Sequence, residues 1–399
     1  MHDRLKRAFV LMTLICLGLA RGAPAVTFGS GANTFDIEFV AVGDPGNAAD
    51  TIGFPNPAGS VPYPFRMGKF EISEQMINKA NALAGLGITK DTRGPNKPAT
   101  DVTWNEAARF VNWLNTSTGS PPAYKFAIQP GQAGYSANSN IEFWTASDAG
   151  YNPNNLYRNS LARYFLPSTN EWHKAAFYDP SSGVYYDYPT GSDSIPDGID
   201  FAGDPNFEAV YPDGGFNSQP NDITNVGVLS PYGTAGQGGN VWELEESGHS
   251  QHPFDLYPHY PRGLRGGDWS RTFYSPNDLI SWVRSSASPT LAGGWVGFRV
   301  ASAIEAISLT GDFNDDGSVD AADYVVWRKG FGTTYTQDDY NDWRTNFGAT
   351  LGSGAAAKPS SRAAVPEPSS ILIALAGCIG LAVRRHPPPA PARGCRGSW

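Results

Sequence analysis

Gly239-Asn240-Val241-Trp242-Glu243 is the stretch on which the fold reading turns, because it stands fourth in an ordered series of six. Before it come Phe65-Arg66-Met67-Gly68-Lys69-Phe70-Glu71-Ile72-Ser73, the run from Thr100 to Trp113, and Phe165-Leu166-Pro167-Ser168-Thr169-Asn170-Glu171-Trp172; after it come Arg265-Gly266-Gly267-Asp268-Trp269 and Gly297-Phe298-Arg299-Val300. Two of the six predict helices. Thr103 is placed to cap one, Glu106 completes a capping box, and Ala107, Phe110, Val111 and Leu114 fall on one face. Ser168 with Glu171 three residues on opens the second, continuing through Trp172, Ala175 and Ala176. Outward from these, alternating runs such as Phe35-Asp36-Ile37-Glu38-Phe39-Val40 predict short strands, so residues 26–305 read as an α+β domain.

The six motifs together resemble the sulfatase-modifying, or formylglycine-generating, family over about residues 35–302. The resemblance implies a loop-rich C-type-lectin-like domain in which short strands and two helices support long loops. In active members two cysteines after the "R-G-G-S-W/Y" motif bind copper, and one is the redox centre that oxidises a substrate cysteine to formylglycine. Matched residue by residue, those positions are Arg271 and Pro276. Arginine is no soft thiolate ligand and proline offers no side-chain donor. Cys16, Cys378 and Cys395 are the chain's three cysteines, and none falls in the folded middle. The resemblance therefore implies a domain without the family's oxidase chemistry.

Other chemistry is sparse. There is no G-x-S-x-G elbow and no phosphate-binding G-x-x-x-x-G-K. His249, His252 and His259, with Glu245 or Asp255, form a histidine-rich segment that matches no metal-site spacing. Glu243 belongs to the Gly239–Glu243 turn, while Glu245 and Glu246 are expected to face water. The family resemblance implies calcium near that turn, with Gly239, Val241 and Glu243 matching and Gly236 standing where an upstream side-chain oxygen is expected; a second family site would draw on Asn206 and Phe207.

A sharper calcium pattern lies further on, in Asp312-Phe313-Asn314-Asp315-Asp316-Gly317-Ser318-Val319-Asp320-Ala321-Ala322-Asp323. Oxygen ligands fall at positions 1, 3, 5, 9 and 12 (Asp312, Asn314, Asp316, Asp320, Asp323), with Gly317 for the turn and the Ser318 carbonyl at position 7. It resembles a dockerin-type loop. Tyr324-Val325-Val326-Trp327-Arg328-Lys329-Gly330-Phe331-Gly332 recurs as Tyr340-Asn341-Asp342-Trp343-Arg344-Thr345-Asn346-Phe347-Gly348, but only the first copy follows a full loop. One calcium and two short helices packed through Trp327 and Trp343 are predicted, making a small α-helical dockerin-like calcium module over 306–350.

The ends of the chain carry targeting signals. Residues 1–25 join Arg4, Lys6 and Arg7 to an apolar run and Ala23-Pro24-Ala25, as a cleaved secretory signal does. After a linker at 351–364, residues 365–385 hold Val365-Pro366-Glu367-Pro368-Ser369-Ser370, an apolar run from Ile371 to Val383, then Arg384 and Arg385. This resembles a PEP-CTERM sorting signal, which implies a membrane-embedded sorting protease as partner and delivery to the outer surface or extracellular matrix, with the membrane holding the C-terminal segment before processing. A Pro-rich tail fills 386–399. A net charge of −9, with no interior Lys/Arg cluster, argues against nucleic acid as a partner. The sequence therefore points to an exported, non-catalytic surface or matrix protein whose domain binds polysaccharide or envelope proteins. The alternative is an enzyme of the sulfatase-modifying family, either the formylglycine-generating oxidase or another activity in the same cleft around Arg271, Tyr274 and Arg284.

Overall fold

The computed structural model describes residues 25–201, 203–215, 218–249, 257–270, 276–304, 310–314 and 318–349. The secretory-signal segment, the linker, the sorting segment and the tail lie outside the described residues, apart from Ala25. The chain divides into two compact units, residues 1–305 and 306–399.

The first unit is mixed α and β with few helices. Its strands are β1 (Val26–Phe28), β2 (Phe35–Ile37), β3 (Phe39–Val42), β4 (Phe65–Gly68), β5 (Tyr164–Phe165), β6 (Tyr178–Asp179), β7 (Val184–Tyr185), β8 (Trp242–Gly248), β9 (Arg262–Arg265), β10 (Ser285–Ala287), β11 (Val296–Gly297) and β12 (Ala301–Ala303). Its helices are α1 (Glu74–Ala84), α2 (Trp104–Ser117) and α3 (Thr169–Phe177). One four-stranded sheet runs β3-β4-β12-β5. There the unit's last strand is inserted between β4 and β5, with Ala301 opposite both Met67 and Phe165. The unit's last strand is thus held on both sides by strands from much earlier in the chain. The second sheet runs β10-β9-β8-β11, antiparallel except for the β11–β8 pair.

Both helix starts predicted from sequence form. Thr103 accepts from the Glu106 N–H at 3.2 Å while Glu106 accepts from the Thr103 N–H at 2.9 Å, and Ser168 and Glu171 repeat the exchange at 3.3 and 2.7 Å. These reciprocal bonds satisfy donors that a helix start otherwise leaves open. Ala107, Phe110, Val111 and Leu114 are fully buried, packing α2 into a core that runs from Phe28 to Ala301. Phe110 is the hinge of an aromatic cluster, stacked on Phe35 and edge-on to Phe298.

The second unit contains α4 (Ala321–Gly330) and α5 (Gln337–Asn346). The sixteen-residue repeat reappears as reciprocal packing. Trp327 donates its indole N–H to the Thr336 carbonyl, and Trp343 donates to the Asp320 carbonyl, so each tryptophan bonds the residue that caps the other helix. Tyr324 packs on Trp343 and Tyr340 on Trp327, with ring centroids 5.3 and 4.8 Å apart. Such crossed contacts let two ten-residue helices, each too short to persist alone in water, hold one another.

Candidate functional site

Strand β8 carries the sequence Trp-Glu-Leu-Glu-Glu-Ser-Gly, and Glu243, Glu245 and Glu246 are all buried. The expectation that Glu245 and Glu246 face water is therefore wrong. A buried carboxylate survives only when paired and hydrogen-bonded, and each of the three is. The Arg299 guanidinium grips Glu243 at 2.5 and 2.6 Å, and the Trp172 indole N–H adds a bond of 2.7 Å. Arg265 and Arg284 flank Glu245 at 2.9 and 2.7 Å, joined by the Thr169 hydroxyl at 3.0 Å. Glu246 accepts from Arg158 at 2.7 Å, the Tyr124 hydroxyl at 2.9 Å and the Asn155 amide at 2.6 Å. Arg158 turns its other face to Glu171, at 2.8 and 2.9 Å.

The electrostatics follow. Against the upward push of burial, Arg284 and Arg265 hold Glu245 below the usual carboxylate range, and Arg158 does the same for Glu171. Neither side chain is poised to donate or take a proton near neutral pH, as a general acid or base must be. Glu71 is the exception. Its Oε1 accepts from the Asn240 amide at 2.9 Å, whereas its Oε2 has no partner. Burial pushes it up to about 8, with Arg299 pulling the other way and Glu243 adding to the rise.

The sites expected from sequence can now be placed. Arg271 and Tyr274 lie outside the described residues. Pro276 is the residue before a short 3-10 turn, Asn277–Leu279. Arg284 is not a free cleft residue: it is buried on Glu245 and donates to the carbonyls of Gly248 and His249. Gly239, Val241 and Glu243 do share one turn, but they do not fit a cation. The only side-chain ligand among them is closed by Arg299 and Trp172. Gly236, with φ of +72°, sits in the left-handed region that favours glycine, and a Cβ there would lie 2.9 Å from Glu71 Oε1. Asn206 is exposed, and the Phe207 side chain packs against the cluster of Ile199 and Val210. Of the histidine-rich segment, His252 and Asp255 lie outside the described residues, and Glu245 is committed to arginines. Trp282 and Trp295 are exposed, whereas Trp104, Trp113, Trp172 and Trp242 are core.

Sequence reading missed one constellation, the pair of His173 and Asp50, 2.9 Å apart and buried. Burial pushes His173 down to about 4 despite the bond to Asp50, so the imidazole is neutral. Its ring packs against Phe177 and Tyr185. A separation of 123 positions along the chain left no local signal.

In the second unit the loop before α4 wraps backbone around Asp323. Asp323 Oδ1 accepts the N–H groups of Phe313 and Asn314 at 2.7 and 3.1 Å, and Oδ2 accepts that of Asp320 at 2.8 Å. Asp312 and Asp323 are both buried, while Asn314 and Asp320 are exposed and Ser318 half-buried. Asp312 in the loop and Asp323 in the first turn of α4 are thus the two buried carboxylates among the described residues of this segment. Asp316 lies outside the described residues. Among the described residues no three His, Cys, Asp or Glu side chains form a metal-holding group.

Residues 39–304 match the model of the sulfatase-modifying factor enzyme 1-like domain. A search of curated proteins gives no match. Solved structures similar to this chain include "Crystal Structure of CarF", at 18% identity over 67% of this chain and 99% of that one, with a TM-score of 0.48. A variable protein of Treponema denticola matches at 19% identity over 70% of this chain and 99% of its own, TM-score 0.45. PvdO from Pseudomonas aeruginosa matches at 16% over 70% and 99%, TM-score 0.42.

The position of Glu71 sets a pH dependence. An acid whose folded pKa is raised to about 8 binds a proton that the unfolded chain has released, so stability falls as pH rises from about 4.5 to about 8. Glu71→Gln removes that contribution. Melting temperature should therefore drop less between about pH 5 and pH 8 in the variant than in the parent; equal drops would contradict the assignment.

Proposed function

We propose, for a chain that belongs to the sulfatase-modifying factor enzyme 1-like family, a ligand-presenting role outside the cell without the family's oxidase chemistry. One observation carries the reading: the polar residues of the family motifs are spent on holding the fold. Glu171, Glu243, Arg265 and Arg299 each close a buried ion pair. The two positions that the resemblance assigns to copper-binding cysteines are Arg271 and Pro276, and the sequence from Val26 to Gly377 has no sulfur nucleophile to replace them. Copper-thiolate chemistry has no ligand to start from. What survives is a rigid frame carrying long loops, as a binding scaffold needs.

Export is supported by the charged and apolar N-terminal segment and by the Pro-Glu-Pro motif followed by an apolar run and paired arginines. On that reading a sorting protease is a partner, the membrane holds the C-terminal segment before processing, and the ligand is a polysaccharide or an envelope protein. Calcium belongs to the same reading. Asp312, Asn314, Asp316, Asp320 and Asp323, with the Ser318 carbonyl, would hold it in a dockerin-like loop. Bound there it would supply a fixed double charge that neutralises the buried carboxylates and stiffens the start of α4.

Two measurements test the proposal. Incubated with copper and a sulfatase-type cysteine peptide, the full chain should yield no formylglycine by mass spectrometry, and turnover would overturn the non-oxidase reading. In calorimetric titration the full chain should bind one calcium, with binding lost in Asp312→Asn; heat that is unchanged by this substitution would place calcium elsewhere.

A further inference from the structure

Two neighbouring cavities flank the loop at residues 152–160, one of about 560 Å³ and one of about 320 Å³. Asn154 and Asn155 line both, so they form a ridge between the two hollows. Each volume falls in the range of small-molecule sites. One side of the larger hollow is Pro62-Tyr63-Pro64, and the other is the asparagine-rich loop.

The loop is locked. Asn155 Oδ1 accepts the N–H groups of Tyr157 and Arg158 at 3.1 and 3.2 Å, while its amide donates to Glu246. Asn159 does the same from the other end, donating to the Ala149 carbonyl and accepting from Leu161. Gly150, with φ of +78°, lets the backbone pass directly under Asn159, and a Cβ there would meet Asn159 Oδ1 at 1.8 Å. Tyr63 is locked as well. Its hydroxyl donates to Glu171 Oε1 at 2.9 Å, yet the side chain remains 44% exposed. An aromatic face is thus held open to solvent at little further cost in side-chain entropy.

Two groups are left over. The Asn154 side chain and the Asn152 amide nitrogen make no hydrogen bond within the described residues. Arg158, the one cation lining the larger hollow among the described residues, is not available: its nitrogens are engaged by Glu246, Glu171 and the Leu166 carbonyl. With Glu171 and Glu246 beneath it, the floor carries one positive and two negative charges. An anionic ligand finds no partner there and meets repulsion.

A pinned aromatic face, neutral amides that both donate and accept, and no free cation among the described residues of the lining suit a neutral polyhydroxylated ligand. A pyranose offers its C–H face to an aromatic ring and vicinal hydroxyls to an amide. We propose that this cleft binds a neutral oligosaccharide, one sugar against Tyr63 and the next across the Asn154 ridge into the smaller hollow. The assignment rests on the ligand-presenting reading and names its ligand class and place.

The test uses the full chain on an array of neutral hexose oligosaccharides and uronate-bearing ones, followed by titration calorimetry of the best binder. Asn154→Ala and Tyr63→Ala should each weaken binding of a neutral oligosaccharide by about tenfold or more, the loss expected for one good contact. Asn154→Ala should leave the melting temperature unchanged, because that side chain holds nothing in the protein. Trp295→Ala, an exposed tryptophan elsewhere on the unit, should bind as the parent does. Preference for uronates, or no neutral binding, would overturn the assignment. Neutral binding lost in Trp295→Ala and kept in Asn154→Ala would also overturn the cleft, while leaving the ligand-presenting reading intact. The cysteine-peptide assay judges that reading separately.

Discussion

Strand β8 puts three carboxylates into the interior, and the rest of the first unit is arranged to answer them. An unpaired carboxylate in that setting is prohibitive, so every glutamate draws a guanidinium from a distant part of the chain. Arg299 comes from the connection between β11 and β12, Arg265 from β9, Arg284 from the residue just before β10, and Arg158 from the loop after α2. Arg299 also donates to the carbonyls of Gly68, Lys69 and Ala235, so one side chain ties β4 and β8 to the chain's return. Apolar packing supplies the bulk of the burial, but it is non-directional and would accept several registers. Ion pairs with fixed geometry accept one.

This accounts for which parts were legible in the sequence. Helices α2 and α3 announce themselves because a capping box is local, four residues that carry their own partners. The calcium-type loop and the sixteen-residue repeat are local in the same way. The family motifs were visible as motifs, yet their purpose was not. Glu243 and Arg299 stand 56 residues apart and Arg158 and Glu246 stand 88 apart, and nothing in either neighbourhood names the other. Two consecutive glutamates in a strand ordinarily mark a solvated face, and that prior misplaced Glu245 and Glu246. Successive side chains of a strand point to opposite faces, so the neighbouring glutamates reach different partners, Glu245 toward Arg265 and Arg284 and Glu246 toward Arg158. The His173–Asp50 pair and the Tyr63 cleft are equally non-local.

A frame held in this way separates structure from chemistry. The family-motif residues Glu171, Glu243, Arg265 and Arg299 keep charges neutralised inside the protein. In the second unit, reciprocal tryptophan bonds tie each helix to the residue that caps the other.

The most direct test of this account is a double-mutant cycle at Glu243 and Arg299, read by urea unfolding. Arg299→Met leaves a buried carboxylate without its counter-charge and Glu243→Leu leaves a buried guanidinium, so each alone should cost about 3–5 kcal/mol. The double variant, with both charges gone, should cost clearly less than the two losses combined. Single losses under about 1 kcal/mol, in the range of an exposed pair, or simple additivity, would contradict the claim that this buried pair fixes the fold.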